Sequence, residues 1–487
     1  MQDGRVNAFD YRPFLREILS TMVSLIDSVV FNEALIRRFD IHGPRYTSYP
    51  TADRFRNDFG ADAYRDVLTQ RQNNPQKRKP FSLYFHLPFC STICYYCACS
   101  KIITRDHGRS AKYLKYLSKE LRLQTSFLAP DDNAVEQLHW GGGTPTFLSH
   151  GEMRQLMALI HRHFRLLDGG EYSIEVDPRK INKDTVTLLA ELGFNRISLG
   201  VQDFDEHVQR TINRIQSEEE TFAVIDAARA CGFKSISIDL IYGLPKQSSK
   251  SFDCTLDRVL AANPDRLSIY NYAHLPALFK PQRRIPKVDL PTSDERLRIL
   301  ALAINKLTSA GYVFIGMDHF ARPDDELAVA QQVGQLHRNF QGYSTRPERD
   351  MLSFGVTSIS QVGTSYGQNV KTLDEYYARL DEGILPVFRG IALTPEDLLR
   401  RAVISSLMCR FKVVFSVFEK RYGIHFASHF SLELAKLAEM EHAGLLRVEP
   451  GCIVVLPSGR MLVRAISMVF DAHLHTNQTQ NRYSKVI

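Results

Sequence analysis

Four cysteines stand close together in the stretch SLYFHLPFCSTICYYCACS, residues 82–100. They are Cys90, Cys94, Cys97 and Cys99, half of the eight cysteines in the chain. The spacing C-x3-C-x2-C-x-C has three chemical interpretations. A structural zinc site usually needs a second, distant pair of ligands, and a disulfide needs an oxidising compartment. An iron–sulfur cluster takes the soft thiolate ligands that such a loop offers.

The sequence GGGTP, residues 141–145, is the second stretch that could do chemistry. Adjacent glycines let a backbone come close to a ligand and present N–H groups to it. Alone, GGGTP is more simply explained as a tight turn from a strand into a helix. Beside the cysteine loop, it becomes a candidate ligand-binding turn.

Short apolar runs that alternate with helical patterns must position these two stretches. The predicted strands are 82–87, 135–140, 172–176, 196–201, 235–243 and 266–272. The predicted helices between them are 111–128, 151–164, 183–194 and 219–233. The alternation predicts an α/β fold with a parallel sheet of βα units, and six units favour an incomplete or open barrel over a closed eightfold one.

Polar residues follow the predicted strands where each strand ends. The cysteine loop follows the first strand and GGGTP the second, and the next three carry Glu175 and Asp177, Gln202, and Asp239. Ligands of parallel barrels collect at the carboxyl ends of the strands, so we expect one shared site. The alternative for Glu175 and Asp239 is that they cap the helices that follow.

The whole chain is predicted to divide into three regions. Residues 1–78 form an N-terminal extension with an amphipathic helix over 14–30 and a lid-like ordered loop from residue 42. Residues 79–388 form the barrel and its extension, and residues 389–487 a mostly helical C-terminal domain with a hairpin across Pro450-Gly451.

Composition and charge exclude several classes of protein. The net charge of +7 over 487 residues, without a long Lys/Arg run, argues against a nucleic-acid partner. The most apolar segment, 14–30, contains Arg16, Glu17 and Asp27, so no membrane span and no signal peptide are expected. We expect a cytoplasmic protein, in which clustered cysteines bind metal or act in redox chemistry rather than form structural disulfides.

The cysteine spacing also has a characteristic context. Tyr84 lies two residues before His86 on the apolar strand, and the glycine turn follows. Together these features resemble the radical S-adenosylmethionine (SAM) superfamily. Longer motifs make the chain similar, over roughly residues 33–487, to the oxygen-independent coproporphyrinogen III oxidases. These motifs are GPRYTSYPTADRF, LHWGGGTPTFL, SIEVDPR, LGVQDF, IDLIYGLPKQ, NYAHLP, GMDHFARPDDELAVAQ, LHRNFQGY and RYSKVI.

The resemblance implies an incomplete (β/α)6 radical-SAM barrel and a reaction of haem biosynthesis. In this family a reduced [4Fe–4S] cluster cleaves SAM, and the 5′-deoxyadenosyl radical takes a hydrogen from a propionate of coproporphyrinogen III. Loss of CO2 and an electron leaves a vinyl group, and two such reactions give protoporphyrinogen IX. The resemblance also implies an electron donor such as a flavodoxin or ferredoxin, and a monomer.

The resemblance further assigns roles to residues. Cys90, Cys94 and Cys97 match the cluster ligands, and Cys99 matches a fourth cysteine that is not a ligand. For Cys99, a catalytic role and a small buried residue are both open. Matches to a first SAM site are Tyr84, Gly142, Glu175 and Ile359. Matches to a second SAM site are Tyr96, Gly143, Thr144, Gln202, Arg214, Asp239 and Ala273.

Two positions in the cysteine loop depart from the family pattern. Tyr96 replaces the usual phenylalanine and keeps an aromatic ring, so little change is expected. Ala98 replaces the usual glycine and would be strained if the position requires a positive φ.

Arginines in the long motifs are candidates for binding the substrate's propionates. Arginine can bind a carboxylate through two parallel hydrogen bonds, and the candidates are Arg45, Arg322 and Arg338. Surface ion pairs are the alternative for each of them.

Two other functions are consistent with parts of the sequence. One is a haem-binding, chaperone-like radical-SAM relative without oxidase activity. Such relatives generally lack the cysteine at the position of Cys99 and the HFARPDDELAVAQ stretch found here. The other is a zinc-stabilised binding module without catalysis, which leaves the shared polar edge of the barrel unexplained.

Overall fold

A computed structural model describes residues 29–73, 78–346, 349–474 and 485. The amphipathic helix predicted over 14–30 lies almost wholly outside these ranges. Numbered in chain order, the strands are β1 (Phe81–Leu87), β2 (Phe89–Cys90), β3 (Ile102–Ile103), β4 (Ala134–Gly142), β5 (Arg165–Val176), β6 (Arg196–Gln202), β7 (Ser235–Tyr242), β8 (Arg266–Asn271), β9 (Val313–Gly316), β10 (His319–Ala321), β11 (His337–Asn339), β12 (Gly342–Ser344), β13 (Met351–Phe354), β14 (Ile359–Val362), β15 (Ser365–Asn369), β16 (Val387–Ala392), β17 (Lys412–Val414), β18 (Leu446–Glu449) and β19 (Cys452–Val455).

The α-helices are numbered in the same way. They are α1 (Glu33–Phe39), α2 (Ala61–Gln72), α3 (His107–Thr125), α4 (His150–His163), α5 (Lys183–Glu191), α6 (Glu206–Thr211), α7 (Glu218–Ala230), α8 (Ser249–Ala261), α9 (Ser293–Ser309), α10 (Glu326–Gln332), α11 (Leu373–Asp381), α12 (Pro395–Arg410), α13 (Phe415–Tyr422), α14 (Phe426–His429), α15 (Ser431–His442) and α16 (Val463–Met468).

The six predicted strands are confirmed and lie side by side in one parallel sheet. They are β1, β4, β5, β6, β7 and β8, and each pairs in parallel with the next. The predicted helices between them are confirmed as α3, α4, α5 and α7, with ends shifted by a few residues. Side-chain caps explain several of these ends: Asp106 caps α3, and capping boxes begin α4 at Ser149 and α7 at Ser217.

Alternation along the strands separates an apolar face from a polar one. Phe85, Trp140 and Ile174 are register partners on neighbouring strands, and all three are fully buried. On the opposite face, Tyr84 stands beside His139, and His139 beside Ser173. Since successive side chains point to opposite faces, the apolar row packs under the helices and the polar row faces the inside of the partial barrel.

The sheet is wider than the sequence predicted. A further parallel strand, β13, pairs with the free edge of β1, and β14, β15 and β16 continue it in antiparallel fashion. At the other edge β10 and β9 follow β8. All four residues of β13 are buried, so the strand lacks the alternation that identifies a half-buried strand in a sequence.

The predicted helices and hairpin of the C-terminal region are also confirmed. Helix α12 begins with Pro395 after a capping box at Thr394, and α15 adds 12 helical residues shortly before the hairpin. Strands β18 and β19 form the hairpin across Pro450-Gly451, and β17 completes a three-stranded sheet. The predicted boundary after residue 388 falls inside β16, which belongs to the main sheet.

No helix in the described part of the chain is both long enough and apolar enough to cross a membrane.

Candidate active site

Short backbone interactions fix the cysteine loop at both ends. Strands β2 and β3 pair in parallel, so Cys90 lies beside Ile103, and Thr104 N–H donates to the carbonyl of Cys90. In the middle of the loop, Tyr95 N–H donates to the carbonyl of Ile212 over 2.9 Å. The loop is therefore held against the segment that follows α6.

The glycine turn packs directly on the start of this loop. Gly143 N–H donates to Leu87 and Thr144 N–H to Phe89, each over 2.9 Å. A Cβ on Gly143 would lie 2.7 Å from the carbonyl of Pro88, and Gly142 has φ +114°, so both positions require glycine. The Thr144 hydroxyl lies 3.4 Å from the Cys90 sulfur.

One cavity of about 320 Å³ brings most of the predicted site residues together. Its wall contains all four cysteines of the loop and residues from five strands of the parallel sheet. The predicted residues that line it are Cys90, Cys94, Tyr96, Cys97, Cys99, Gly142, Gly143, Thr144, Glu175, Gln202, Arg214 and Asp239.

Three predicted residues are not part of this wall. Tyr84 stacks on His139 with ring centroids 5.8 Å apart, and His139 contacts Glu175. The carbonyl of Ala273 accepts a hydrogen bond from Gln282, whose amide also donates to the carbonyl of Tyr96. Ile359 lies on β14 and packs near Phe55 and Tyr366.

Two arginines surround Cys94 with positive charge. The Arg179 side chain bonds both oxygens of Asp177, at 2.9 and 2.6 Å, and Arg214 lies 3.3 Å from the same carboxylate. Their guanidinium groups approach the Cys94 sulfur to 3.8 and 3.6 Å. Burial lowers the pKa of Arg214, but Tyr96, Asp177 and Cys94 outweigh it and raise the pKa above its usual value. The two guanidinium groups therefore place positive charge beside the Cys94 sulfur.

The other loop thiols differ in how easily they lose a proton. Burial raises the pKa of Cys90 to about 11. A hydrogen bond from Cys99, helped by the charge of Lys101 and opposed by burial, lowers the pKa of Cys97 to about 6. The same contact with Cys97, together with burial, raises the pKa of Cys99 well above its usual value. Cys97 is thus prepared as a thiolate, and Cys99 stays a neutral thiol.

The carboxylates of Glu175 and Asp239 face the cavity rather than cap helices. Glu175 accepts hydrogen bonds from Gly142 N–H at 3.1 Å and from His139 Nε2 at 3.2 Å. Burial would raise the pKa of Glu175, but the contact with His139 outweighs it and holds the pKa below its usual value. Asp177 caps a short 3-10 turn through Arg179 N–H.

Asp239 makes the stability of the ligand-free chain depend on pH. Burial raises the pKa of Asp239 to about 6, although Ser198 and Ser268 donate hydrogen bonds to it. The unfolded value is about 3.9, so between about pH 4 and about pH 6 the folded chain binds a proton that the unfolded chain does not. Asp239 therefore contributes a loss of stability as the pH rises through this range. We expect Asp239→Asn to raise the melting temperature near neutral pH by a few degrees and to flatten its decline across the range.

Thermal unfolding followed by circular dichroism at a series of pH values would measure this. Asp324→Asn is the control, since the side chain of Asp324 is 81% exposed and should change neither quantity. Equal pH slopes in the wild type and in Asp239→Asn would contradict the prediction.

The three arginines proposed to bind propionates lie in different surroundings. Arg45 forms an ion pair with Asp318 and lies 5.8 Å from the ring of Tyr270 in the cavity wall. Arg322 is 40% exposed and bonds to Asn263 and Asp324. Arg338 is buried, with 9% of its surface exposed.

The loop predicted as a lid is held against the C-terminal region. The Tyr46 hydroxyl donates to Asp471 over 2.9 Å, and the Tyr49 hydroxyl accepts from Ala472 N–H over 3.1 Å. Both tyrosines are buried. The lid function of this loop stays a prediction. Ala98 is not among the residues with positive φ, so its departure from glycine causes no left-handed strain.

Sequence reasoning missed three residues that shape the site. His139 lies in LHWGGGTP as a polar residue within an otherwise apolar strand, which is a signal for a buried polar contact. Arg179 lies in the SIEVDPR motif, but nothing in its spacing indicates that it reaches Cys94. Gln282 comes from a loop 186 positions after Tyr96 and has no local signal.

The donor set fits an iron–sulfur cluster. Three thiols on one short loop open on one cavity, a glycine turn leaves the space beside them, and arginines offset negative charge. In the described part of the chain, no three His, Cys, Asp or Glu side chains are arranged to hold a single metal ion.

Comparison with known proteins agrees with this site. Residues 84–259 match the radical SAM superfamily, and residues 393–462 match the HemN C-terminal domain. The oxygen-independent coproporphyrinogen III oxidase of Pseudomonas aeruginosa is 49% identical over 465 residues, which are 95% of this chain and all of that protein. The protein of the same name from Escherichia coli is 47% identical over 462 residues, again 95% of this chain and all of the relative.

A solved structure extends the similarity to the fold. The structure of coproporphyrinogen III oxidase (HemN) from Escherichia coli, described as a radical SAM enzyme, superposes with a TM-score of 0.86. The alignment covers 92% of this chain and all of that one at 47% identity. Identity of this degree over nearly the whole of both chains shows common descent. The chain belongs to the oxygen-independent coproporphyrinogen III oxidase family of the radical SAM superfamily.

Proposed function

We propose that this chain converts two propionates of coproporphyrinogen III to vinyl groups, giving protoporphyrinogen IX without oxygen. The observation that carries the proposal is the single cavity shared by the cysteine loop, the glycine turn and the strand-end polar residues. The chain brings these groups together in a family whose curated members are named for this reaction.

The first part of the proposal concerns the cofactors. Cys90, Cys94 and Cys97 would hold a [4Fe–4S] cluster, with Arg179 and Arg214 beside Cys94. When bound, the cluster and SAM supply the radical that removes hydrogen from the substrate. All further work, which is binding, orientation and shielding, belongs to the chain.

Glu175 is proposed to hold the amino group of a first SAM molecule. Its carboxylate is fixed by Gly142 N–H and His139, and Tyr84 stacks behind His139. A carboxylate with a lowered pKa stays ionised and can pair with an ammonium group. Ile359 lies on β14, two strands from β1 in the sheet, and would contact the same molecule.

We also propose a second SAM molecule in the same cavity. Its predicted contacts are Tyr96, Gly143, Thr144, Gln202, Arg214, Asp239 and Ala273. Support comes from Asp239, a second carboxylate on a different strand that faces the same space as Glu175. Gln282 joins the carbonyls of Tyr96 and Ala273, which keeps the far side of that space rigid.

Cys99 is the proposed catalytic residue of the loop. Its thiol lines the cavity, and the family pattern leaves it out of the three cluster ligands, so it is free to contact the substrate. Each vinyl group requires the removal of one hydrogen atom, one CO2 and one electron. The proposal further includes a cytoplasmic monomer that receives electrons from a flavodoxin or a ferredoxin.

Anaerobic turnover tests the proposal. The reconstituted protein, supplied with dithionite, SAM and coproporphyrinogen III, should form protoporphyrinogen and 5′-deoxyadenosine, both measured by chromatography. Formation of 5′-deoxyadenosine without the porphyrin product would contradict the oxidase function. Stoichiometric binding in a haem titration would then favour the chaperone-like alternative.

A further inference from the structure

A second large cavity lies between the barrel and the C-terminal region. It has a volume of about 340 Å³, within the range of small-molecule sites. Loop 46–49, strand β11 and helices α12 and α13 contribute to its wall. Among the described residues, it shares no lining residue with the cavity at the cysteine loop.

The charged residues of this cavity are mainly cationic. Its lining arginines are Arg338, Arg349, Arg401, Arg410 and Arg421, and its carboxylate is Asp350. Asp350 already pairs with Arg71, and Arg349 with Glu136. Asp350 and Glu136 are therefore already paired with arginines other than Arg338.

Arg338 is the buried cation of this group. It is 9% exposed, and its Nε and Nη1 atoms have no hydrogen-bond acceptor among the described residues. The guanidinium lies over the ring of Tyr343, 4.8 Å from the centroid. A buried charge with unused donors is costly to keep in a fold unless something else uses it.

The groups around Arg338 increase this cost instead of reducing it. Burial and the charge of Arg338 lower the pKa of Arg45, and the same two causes hold the pKa of His319 well below its usual value. Arg464, which donates to the carbonyls of Gly43 and Pro44, is also within range of these charges. An anion bound here would be attracted by several cations at once.

A chain of ring contacts joins Arg338 to the cysteine-loop cavity. Tyr270, in the wall of that cavity, contacts His319 at 5.9 Å, and His319 contacts Tyr343 at 5.2 Å. Tyr343 in turn lies beneath Arg338. Arg338 is thus near enough to serve the same large substrate, but is separated from the reacting position by three rings.

We propose that Arg338 binds a propionate carboxylate of the tetrapyrrole that the enzyme does not convert. The inference rests on the proposed function, since two of the four propionates remain in the product. Those two must lie away from the cysteine loop while another propionate reacts there. The planar guanidinium, with two free N–H positions, suits a carboxylate.

Porphyrins that differ in propionate number test this assignment. Coproporphyrin III carries four propionates and protoporphyrin IX carries two, and both can be titrated into the protein by fluorescence quenching without the cluster. We expect Arg338→Met to weaken both porphyrins alike, by about tenfold or more. Arg338→Lys should restore part of the affinity, and Arg154→Met, an exposed arginine, should bind as the wild type does.

A second readout separates binding from folding. Because Nε and Nη1 of buried Arg338 have no protein acceptor among the described residues, Arg338→Met should melt at the same temperature as the wild type or higher. A clear drop in melting temperature would instead indicate a structural role and overturn the assignment.

The remaining outcomes are also decisive. Weakening of coproporphyrin alone would place Arg338 at a reacting propionate, and unchanged affinity for both would remove it from the substrate site. Displacement of both porphyrins by inorganic phosphate at comparable concentration would indicate a general anion site. If the Arg338 variants bind both porphyrins as the wild type does, and the wild type turns over normally, the assignment of Arg338 fails and the proposed function stands. Absence of turnover in the wild type refutes the proposed function itself.

Discussion

Alanine at Cys90, Cys94 or Cys97 is expected to remove both bound iron and turnover, whereas alanine at Cys99 should remove turnover and leave the iron. The three thiols proposed as ligands open on one cavity and lie on a loop held by backbone bonds to its neighbours. Losing one thiolate leaves an iron without a protein ligand. The rate should fall at least about a thousandfold, since no other group in the chain replaces the lost radical chemistry.

Iron content, the visible absorption of the reconstituted protein and anaerobic product formation would be measured side by side. Cys231→Ala is the matched control, because Cys231 is a free, partly buried cysteine at the end of α7. It should keep both iron and activity. A Cys99→Ala protein that loses its iron would make Cys99 a ligand and contradict the assignment. Iron retained in Cys94→Ala would show that the loop has been misinterpreted.

Glu120→Ala is expected to lower the free energy of unfolding by about 3–5 kcal/mol. Glu120 on α3 is fully buried and accepts hydrogen bonds from Gly355 N–H at 2.7 Å, Asn369 at 2.6 Å and Tyr376 at 2.6 Å. These donors lie after β13, on β15 and on α11. Alanine would remove the Glu120 acceptor from all three donors, of which only Asn369 has further acceptors among the described residues, the Gly355 carbonyl and the Ser358 hydroxyl. It would also leave a cavity between the barrel and its extension.

Urea unfolding followed by circular dichroism would measure the loss. Glu191→Ala is the comparison, since Glu191 is 54% exposed and pairs with Arg154 at the surface. Its effect should stay within about 0.5 kcal/mol. A loss of less than about 1 kcal/mol for Glu120→Ala would mean that water or rearranged side chains replace the carboxylate.

The barrel could be predicted because its strands and helices carry local signals. Strands such as SLYFHL and SISIDLIYG are bounded runs rich in β-formers, and the helices between them begin at clear caps. Strand β13 could not be predicted, because MLSF is four residues long and its partner, Ser82–Phe85, is far away in the sequence. No local pattern specifies such a pairing.

The candidate site divides in the same way. The cysteine loop and the glycine turn can be recognised in the sequence by residue type and spacing, and the structure places them against each other. The contacts of Arg179 and Arg214 with Cys94 join residues 85 and 120 positions apart, so only the fold reveals them. The three arginines of the long motifs looked equivalent in the sequence. Burial and partners alone distinguish Arg338 from the exposed Arg322.

The parallel pairing of β1 with β13 also bears on how the chain is made. A ribosome releases β1 roughly 260 residues before β13, a delay of some tens of seconds at about 5–20 residues per second. During that time the nascent barrel has an unpaired, apolar strand at its edge, the kind of edge that recruits other chains. Synthesis therefore passes through an interval in which molecular chaperones have a defined target, and this interval closes only when nearly three quarters of the polypeptide has been made.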